Sequence, residues 1–121
     1  MTKILIIEDH EEMVHLVLRQ VEFMGFVAVS ARNTEDGIKA AAAEKPDLIL
    51  MDIGMPRIDG LKATRMLRAH PATHKIPILV ASALSRKSDV DACIEAGCND
   101  SIAKPFTFKE LETKIRKLIT P

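Results

Sequence analysis

Five short apolar runs, separated by segments of helical periodicity, constrain the fold of this chain more than any other feature. The runs are rich in Ile, Val and Leu, do not alternate with polar residues, and lie at positions 4–7, 26–29, 48–51, 78–81 and 101–103. Strands buried on both faces have this pattern, which is typical of parallel sheets. Parallel neighbours are joined by right-handed crossovers, usually helices. We therefore predict an α/β fold with one doubly wound, five-stranded parallel sheet and helices on both faces.

The segments between the runs carry apolar residues at the 3.6-residue spacing of amphipathic helices. This spacing places Leu16, Met66 and Ile94 on the apolar faces of three of the five predicted helices. Residue types suited to helix ends lie at the expected boundaries. They are Asn33 and Asp59 as N-caps, Gly25 and Gly97 after helices, and Thr107 with Glu110 as a capping box.

Length and charge exclude several classes of function. The 121 residues allow one domain, which we expect to span residues 1–121. Because 17 basic and 17 acidic residues cancel, the chain lacks the positive field typical of nucleic-acid-binding domains. No apolar run is long enough for a signal peptide or a membrane span. We expect a cytoplasmic protein that binds neither nucleic acid nor membranes, in which Cys93 and Cys98 are reduced structural thiols.

Polar side chains lie at the predicted ends of four strands. Glu8 and Asp9 follow the first strand, Asp52 the third, Ser82 the fourth and Lys104 the fifth. Each residue alone is ordinary, since acidic residues and hydroxyls are common in turns and at helix N-caps. Together they lie at the edge where open α/β sheets bind ligands. If the first and third strands are neighbours, three carboxylates converge, and Mg²⁺, which prefers oxygen ligands, is the natural counter-ion.

With these motifs the sequence resembles the receiver domains of two-component response regulators, of the stand-alone type seen in CheY and DivK. The matching segments cover nearly the whole chain and lie at positions 4–9, 46–56, 59–60, 80–83, 95–97 and 104–106. The resemblance implies the flavodoxin-like strand order 2-1-3-4-5. It also implies a single receiver domain without an output domain.

The resemblance further implies a phosphorylation site. Asp52 would accept the phosphoryl group, and Ser82 and Lys104 would contact its oxygens. This agrees with the chemistry, because phosphoryl transfer needs an oxygen nucleophile and cations that stabilise the charge on the transferred group. In the family, Mg²⁺ is the cofactor, with two carboxylates and a backbone carbonyl as direct ligands. The implied metal-binding residues are Glu8, Asp9, Asp52 and Gly54.

The same resemblance implies the partners. The phosphoryl donor would be a sensor histidine kinase or a histidine phosphotransfer protein. A downstream target protein would bind the face formed by the fourth helix, the fifth strand and the fifth helix. The chain would catalyse only its own phosphorylation and dephosphorylation, so we expect no turnover of an external substrate.

One residue departs from the family pattern, since Ser101 stands where receivers usually carry Tyr or Phe. Two alternatives to a phosphorylation switch stay open: a receiver-like binding module that acts without phosphorylation, and a receiver fragment of a larger regulator. Other α/β functions are disfavoured. The acidic segment after the first strand would repel the phosphate of a flavin, Gly54 stands where an aspartyl phosphatase needs a second acid, and no glycine-rich nucleotide motif occurs.

Overall fold

The structure is a computed structural model in which residues 1–54, 60–83 and 87–119 are described. Strands and helices alternate throughout this part of the chain. They are β1 (Lys3–Ile7), α1 (Glu11–Phe23), β2 (Val27–Ala31), α2 (Thr34–Glu44), β3 (Leu48–Asp52), α3 (Gly60–Ala69), β4 (Ile78–Ala83), α4 (Lys87–Ala96), β5 (Asp100–Lys104) and α5 (Phe108–Ile119). The predicted N-cap at Asp59 lies outside the described residues.

The strands form one parallel sheet in the order β2-β1-β3-β4-β5. The predicted fold class and the strand order implied by the family resemblance are both confirmed. Since all strands run in one direction, their carboxyl ends meet at a single edge. Along that edge β1 and β3 are neighbours, and β4 and β5 follow.

The second strand begins and ends later than the sequence run predicted. Val27 is its first residue and Ala31 its last. Phe26 precedes it, donates its backbone N–H to the carbonyl of Val21 at 3.3 Å, and lies beneath the guanidinium of Arg116 at 4.9 Å. Phe26 therefore belongs to the turn that closes α1, where its ring packs against α5.

Alternate residues of each central strand fill two apolar layers, one on each face of the sheet. In β1, Ile4 and Ile6 pack with side chains of α1 and α5, whereas Leu5 and Ile7 pack with side chains of α2, α3 and α4. All four are at most 1% exposed. Burying each such side chain stabilises the fold by about 1.5–3 kcal/mol. The sheet is thus held from both sides, and its strand ends are fixed relative to one another.

Several of the predicted helix boundaries are confirmed. The Asn33 side chain accepts a hydrogen bond from a backbone N–H in the first turn of α2 at 2.8 Å. Thr107 and Glu110 form the reciprocal capping box, with hydrogen bonds of 2.9 and 3.1 Å. Gly25 and Gly97 have φ angles of 94° and 128°. These positive angles favour glycine, because glycine has no Cβ atom to clash with the backbone.

The apolar faces of three helices are narrower than their sequence period predicted. Leu16 is 50% exposed, and Met66 and Ile94 are each 40% exposed, so these residues of the predicted apolar faces lie outside the core. Within residues 1–54, 60–83 and 87–119, no helix has the length and apolar character needed to cross a membrane.

Arg68, near the end of α3, joins three segments at the amino-end edge of the sheet. Its guanidinium donates to the carbonyls of His74 and Ile76, before β4, at 3.0 and 2.7 Å. It also donates to the carbonyl of Gly97 at 2.8 Å and to the Asn99 side chain at 2.8 Å, both between α4 and β5. The end of α3 and the starts of β4 and β5 are therefore fixed together.

Candidate functional site

Three carboxylates converge at the carboxyl edge of the sheet. Glu8 and Asp9 follow β1, and Asp52 is the last residue of neighbouring β3. Each offers an oxygen, and these oxygens all lie within 4.8 Å of one another. The adjacency of β1 and β3, on which the prediction of a convergent acidic cluster depended, is confirmed.

The three carboxylates differ in exposure. Glu8 is buried, with 4% of its surface exposed, whereas Asp9 is exposed. The Asp52 side chain is intermediate, at 14%. The cluster therefore has a buried side at Glu8 and an open side at Asp9, and Asp52 lies between them where a reactant from solvent can reach it.

Lys104 reaches across the cluster from the end of β5. Its ammonium lies 3.0 Å from Glu8 Oε1 and 3.3 Å from Asp52 Oδ1. Burial alone would lower the pKa of Lys104, but the hydrogen bond to Glu8 and the charge of Asp52 outweigh it, so the pKa is raised. The ammonium therefore stays charged and partly neutralises two carboxylates.

Glu8 uses both carboxylate oxygens. Oε1 accepts from Lys104, and Oε2 accepts from the backbone N–H of His10 at 3.2 Å. Burial raises the pKa of the Glu8 carboxyl, and the nearby charge of Asp52 raises it further, against the lowering effect of Lys104. The pKa of Glu8 is therefore raised, because burial outweighs the attraction of its carboxylate to the ammonium.

Asp52 is held at its position by backbone as well as by Lys104. Its Oδ1 accepts the N–H of Gly54 at 3.1 Å, which turns the chain sharply after β3. Gly54 therefore contacts Asp52 through its backbone N–H. Binding of Mg²⁺ by the Gly54 carbonyl stays a prediction. The carboxylate that ends β3 is oriented before any reactant arrives.

Ser82 lies at the same edge, and its hydroxyl is bonded to the backbone of the next residue. Its neighbour Ala81 is paired with Asp52 in the sheet. The Ser82 side chain is buried, and its hydroxyl donates to the carbonyl of Ala83 at 3.1 Å. A role on the phosphoryl group would require the hydroxyl to leave this bond.

The donor chemistry of the cluster fits a hard divalent cation. Glu8, Asp9 and Asp52 supply carboxylate oxygens, which Mg²⁺ prefers. Mg²⁺ commonly retains several waters and takes only one or two protein carboxylates, so an open side at Asp9 suits it. Glu8, with both oxygens already hydrogen-bonded, is better placed to orient Lys104 and to contribute charge.

Sequence reasoning missed the contact between Glu8 and Lys104, which lie 96 residues apart. The two follow β1 and β5, which are separated in the sheet by β3 and β4. The only signal in the sequence is that both follow buried strands at the same sheet edge. The reach of the lysine side chain cannot be read from that signal.

Comparison with known proteins assigns the family. The model of the response regulator receiver domain matches residues 4–116, and the chain belongs to this family. It is 37% identical over 116 residues to the KDP operon transcriptional regulatory protein KdpE of Escherichia coli, covering 96% of this chain and 50% of that protein. It is 32% identical over 117 residues to the alkaline phosphatase synthesis regulator PhoP of Bacillus subtilis, covering 97% and 48%. The chain spans about half the length of these curated relatives.

A solved structure extends the comparison to the fold and the site. The receiver domain of the sensor histidine kinase PA1611 from Pseudomonas aeruginosa is 30% identical, with a TM-score of 0.89. The match covers 98% of this chain and 97% of that one. That structure is described as holding a magnesium ion in its active-site cleft.

Proposed function

We propose that this receiver domain accepts a phosphoryl group on Asp52 and signals through phosphorylation-dependent protein binding in the cytoplasm. The donor is the phosphohistidine of a sensor histidine kinase or of a histidine phosphotransfer protein. The proposal rests mainly on the position of the Asp52 carboxylate. It is oriented by Gly54, lies beside the Lys104 ammonium, and stands between the buried and the open side of an acidic cluster.

The residues proposed to hold Mg²⁺ are Glu8, Asp9, Asp52 and the Gly54 carbonyl, with Asp9 and Asp52 as direct ligands. The acidic cluster and the magnesium ion described in the PA1611 receiver support this assignment. When bound, the ion supplies positive charge beside the oxygens of the transferred group. Without it, the carboxylates would repel an approaching phosphate.

The protein groups have distinct tasks in this proposal. An Asp52 oxygen attacks phosphorus while the bond from phosphorus to the donor histidine nitrogen breaks. With a proton on the second ring nitrogen of the donor, the products are an acyl phosphate and a neutral histidine. Lys104 already lies 3.3 Å from Asp52 and stabilises the added negative charge. The Ser82 hydroxyl exchanges its bond to Ala83 for one to a phosphoryl oxygen. Hydrolysis of the acyl phosphate then restores Asp52, so no external substrate is turned over.

The target protein is proposed to bind the face formed by α4, β5 and α5. Lys104 links Asp52 to β5, and open cavities flank this strand on both sides. The cavity of about 220 Å³ beside α4 includes Ser82 and Ser101 in its wall, and one of about 330 Å³ beside α5 also includes Ser101. The small Ser101 side chain leaves this part of the face open.

The half-length match to the curated relatives favours a second candidate, in which this chain is the receiver of a larger regulator. The chemistry at Asp52 would be the same, and only the output would differ. Ser101 favours a third candidate, a module that binds its target with or without the phosphoryl group. Calorimetric titration of the target with phosphorylated and unmodified protein separates the switch from this third candidate, because equal affinities would exclude a switch.

Incubation with acetyl phosphate and Mg²⁺, followed by a phosphate-affinity gel, tests the phosphoacceptor. We expect wild type to be retarded and Asp52→Asn not to be, since the amide keeps the shape but is not a nucleophile. The matched control is Asp47→Asn, just before the opposite end of the same strand, where the side chain accepts the backbone N–H of Lys3 at 2.8 Å. Undiminished labelling of Asp52→Asn, or equal loss of labelling in both variants, would contradict the assignment.

A further inference from the structure

The end of α4 brings the two cysteines of the chain together. The N–H of Cys98 donates to the carbonyl of Cys93 at 3.0 Å, and the N–H of Gly97 donates to the carbonyl of Ile94 at 3.1 Å. With the positive φ of Gly97, these two bonds define a Schellman motif. In this motif the residues at the positions of Cys93 and Cys98 normally make an apolar side-chain contact. Here the contact is between two thiols that share one core cluster.

The surroundings of Cys98 are unusually polar for a buried thiol. The Thr64 hydroxyl lies 3.2 Å from its sulfur, and Arg68 bonds to the carbonyl of the preceding Gly97. The Thr64 hydroxyl donates its proton to the carbonyl of Gly60 at 2.7 Å, so it accepts from the Cys98 thiol. The pKa of the Cys98 thiol is lowered, chiefly by a hydrogen bond from Cys93 and also by the charge of Arg68, against the effect of burial. One hydrogen-bond donor and one cation can therefore stabilise a thiolate at Cys98.

The two buried cysteines differ slightly in exposure. Cys98 is 6% exposed and Cys93 is 1% exposed. Cys98 also stands just outside α4, before the exposed Asn99, whereas Cys93 faces the sheet from within the helix. A small oxidant that enters from this edge meets Cys98 first, with Cys93 in contact behind it.

We propose that Cys93 and Cys98 form a redox-active dithiol, which a hydroperoxide converts into an intramolecular disulfide. The Cys98 thiolate attacks the terminal oxygen of the hydroperoxide and the oxygen–oxygen bond breaks. Hydroxide leaves from hydrogen peroxide, or alkoxide from an organic hydroperoxide, and Cys98 becomes a sulfenic acid. The Cys93 sulfur then attacks the Cys98 sulfur, the sulfur–oxygen bond breaks, and water leaves with the Cys93 proton. Two electrons pass from the thiols to the peroxide.

The disulfide closes a short loop between the last turn of α4 and the segment that leads into β5. Both elements belong to the face proposed for target binding, so oxidation would restrain that face. This consequence depends on the proposed function, but the thiol chemistry does not. Oxidation of Asp52→Asn should therefore proceed as in wild type, and a failure of either proposal can be recognised without the other.

The test treats the folded protein with hydrogen peroxide, quenches it with catalase, and alkylates free thiols in denaturant with N-ethylmaleimide. Cleavage after Glu95 places Cys93 and Cys98 on separate peptides, which only a disulfide holds together. We expect both thiols to be lost at one rate, with a protein mass lower by about 2 Da for the two hydrogens removed. Dimedone should trap a sulfenic acid at Cys98 in Cys93→Ala. Cys93 should be oxidised about tenfold more slowly in Cys98→Ala than in wild type.

The proposal is overturned if folded wild type keeps both thiols at peroxide concentrations that oxidise the denatured chain. It is also overturned if oxidation yields sulfinic acid or disulfide-linked dimers in place of the internal disulfide. These outcomes are read from wild type alone, so they hold even where an alanine variant fails to fold.

Discussion

Replacing Lys104 by Met should show how much the repulsion between the clustered carboxylates destabilises the fold. Met keeps the length of the side chain but removes the ammonium that lies between Glu8 and Asp52. Oxygens of these two carboxylates no more than 4.8 Å apart repel by about 3.5 kcal/mol at an effective dielectric constant of about 20. Removing one partner of a buried ion pair typically costs about 3–5 kcal/mol. We expect Lys104→Met to lower the free energy of unfolding by about 3 kcal/mol without Mg²⁺ at neutral pH.

The pKa of Glu8 determines how the stability lost in Lys104→Met changes with pH. The folded-state pKa of Glu8 is raised above 4.5, so its contribution to stability is full below 4.5 and is lost as the pH rises through the folded value. Lys104 opposes this rise in pKa, and its removal lets the pKa of Glu8 increase further. Acidification favours the protonated form of Glu8 and should recover part of the lost stability. Millimolar Mg²⁺ should also recover it, because the cation replaces the missing positive charge.

Urea unfolding measures the change in the free energy of unfolding. It is carried out with a chelator at pH 7.5 and at pH 5, and again with Mg²⁺ in place of the chelator. The matched control is Lys114→Met, which breaks an ion pair with Asp100 in which the lysine side chain is 37% exposed. Such exposed pairs contribute at most about 1 kcal/mol. Equal losses for the two variants, or a loss at Lys104 that neither acid nor Mg²⁺ reduces, would refute the electrostatic account of the cluster.

Two further predictions concern the metal and a helix end. Mg²⁺ at 100 times its dissociation constant should stabilise wild type by about 2.7 kcal/mol in thermal unfolding, while Asp9→Ala should lose most of this shift; an unchanged response in the variant would remove Asp9 from the site. Thr107→Ala should cost about 1 kcal/mol in urea unfolding because it removes the 3.1 Å cap bond to the N–H of Glu110. Thr113→Ala, at an exposed position within α5, should cost nothing, and equal losses at both threonines would show that the cap contributes little.

The sheet and the convergence of the acidic residues could be predicted because each depends on local pattern and chain direction. Runs buried on both faces indicate parallel strands, and parallel strands end at one edge, so Asp9 and Asp52 had to lie near each other once β1 and β3 were neighbours. The contact of Glu8 with Lys104 could not be predicted, because it depends on a long side chain that crosses the ends of two intervening strands. The exposure of Leu16 was missed since periodicity identifies the direction of a helix face but not how far the sheet covers it.

The hydrogen bonds of Arg68 described above all end on neutral oxygens, from His74, Ile76, Gly97 and Asn99. Dissolved salt screens attraction between separated charges, whereas short bonds from a guanidinium to carbonyl and amide oxygens depend on contact geometry. The Arg68 contacts at the starts of β4 and β5 should therefore persist from dilute buffer to high ionic strength. The opposite edge, where carboxylates and an ammonium meet, should respond to the surrounding ions. In β4 and β5, a fixed amino end thus supports an ion-sensitive carboxyl end.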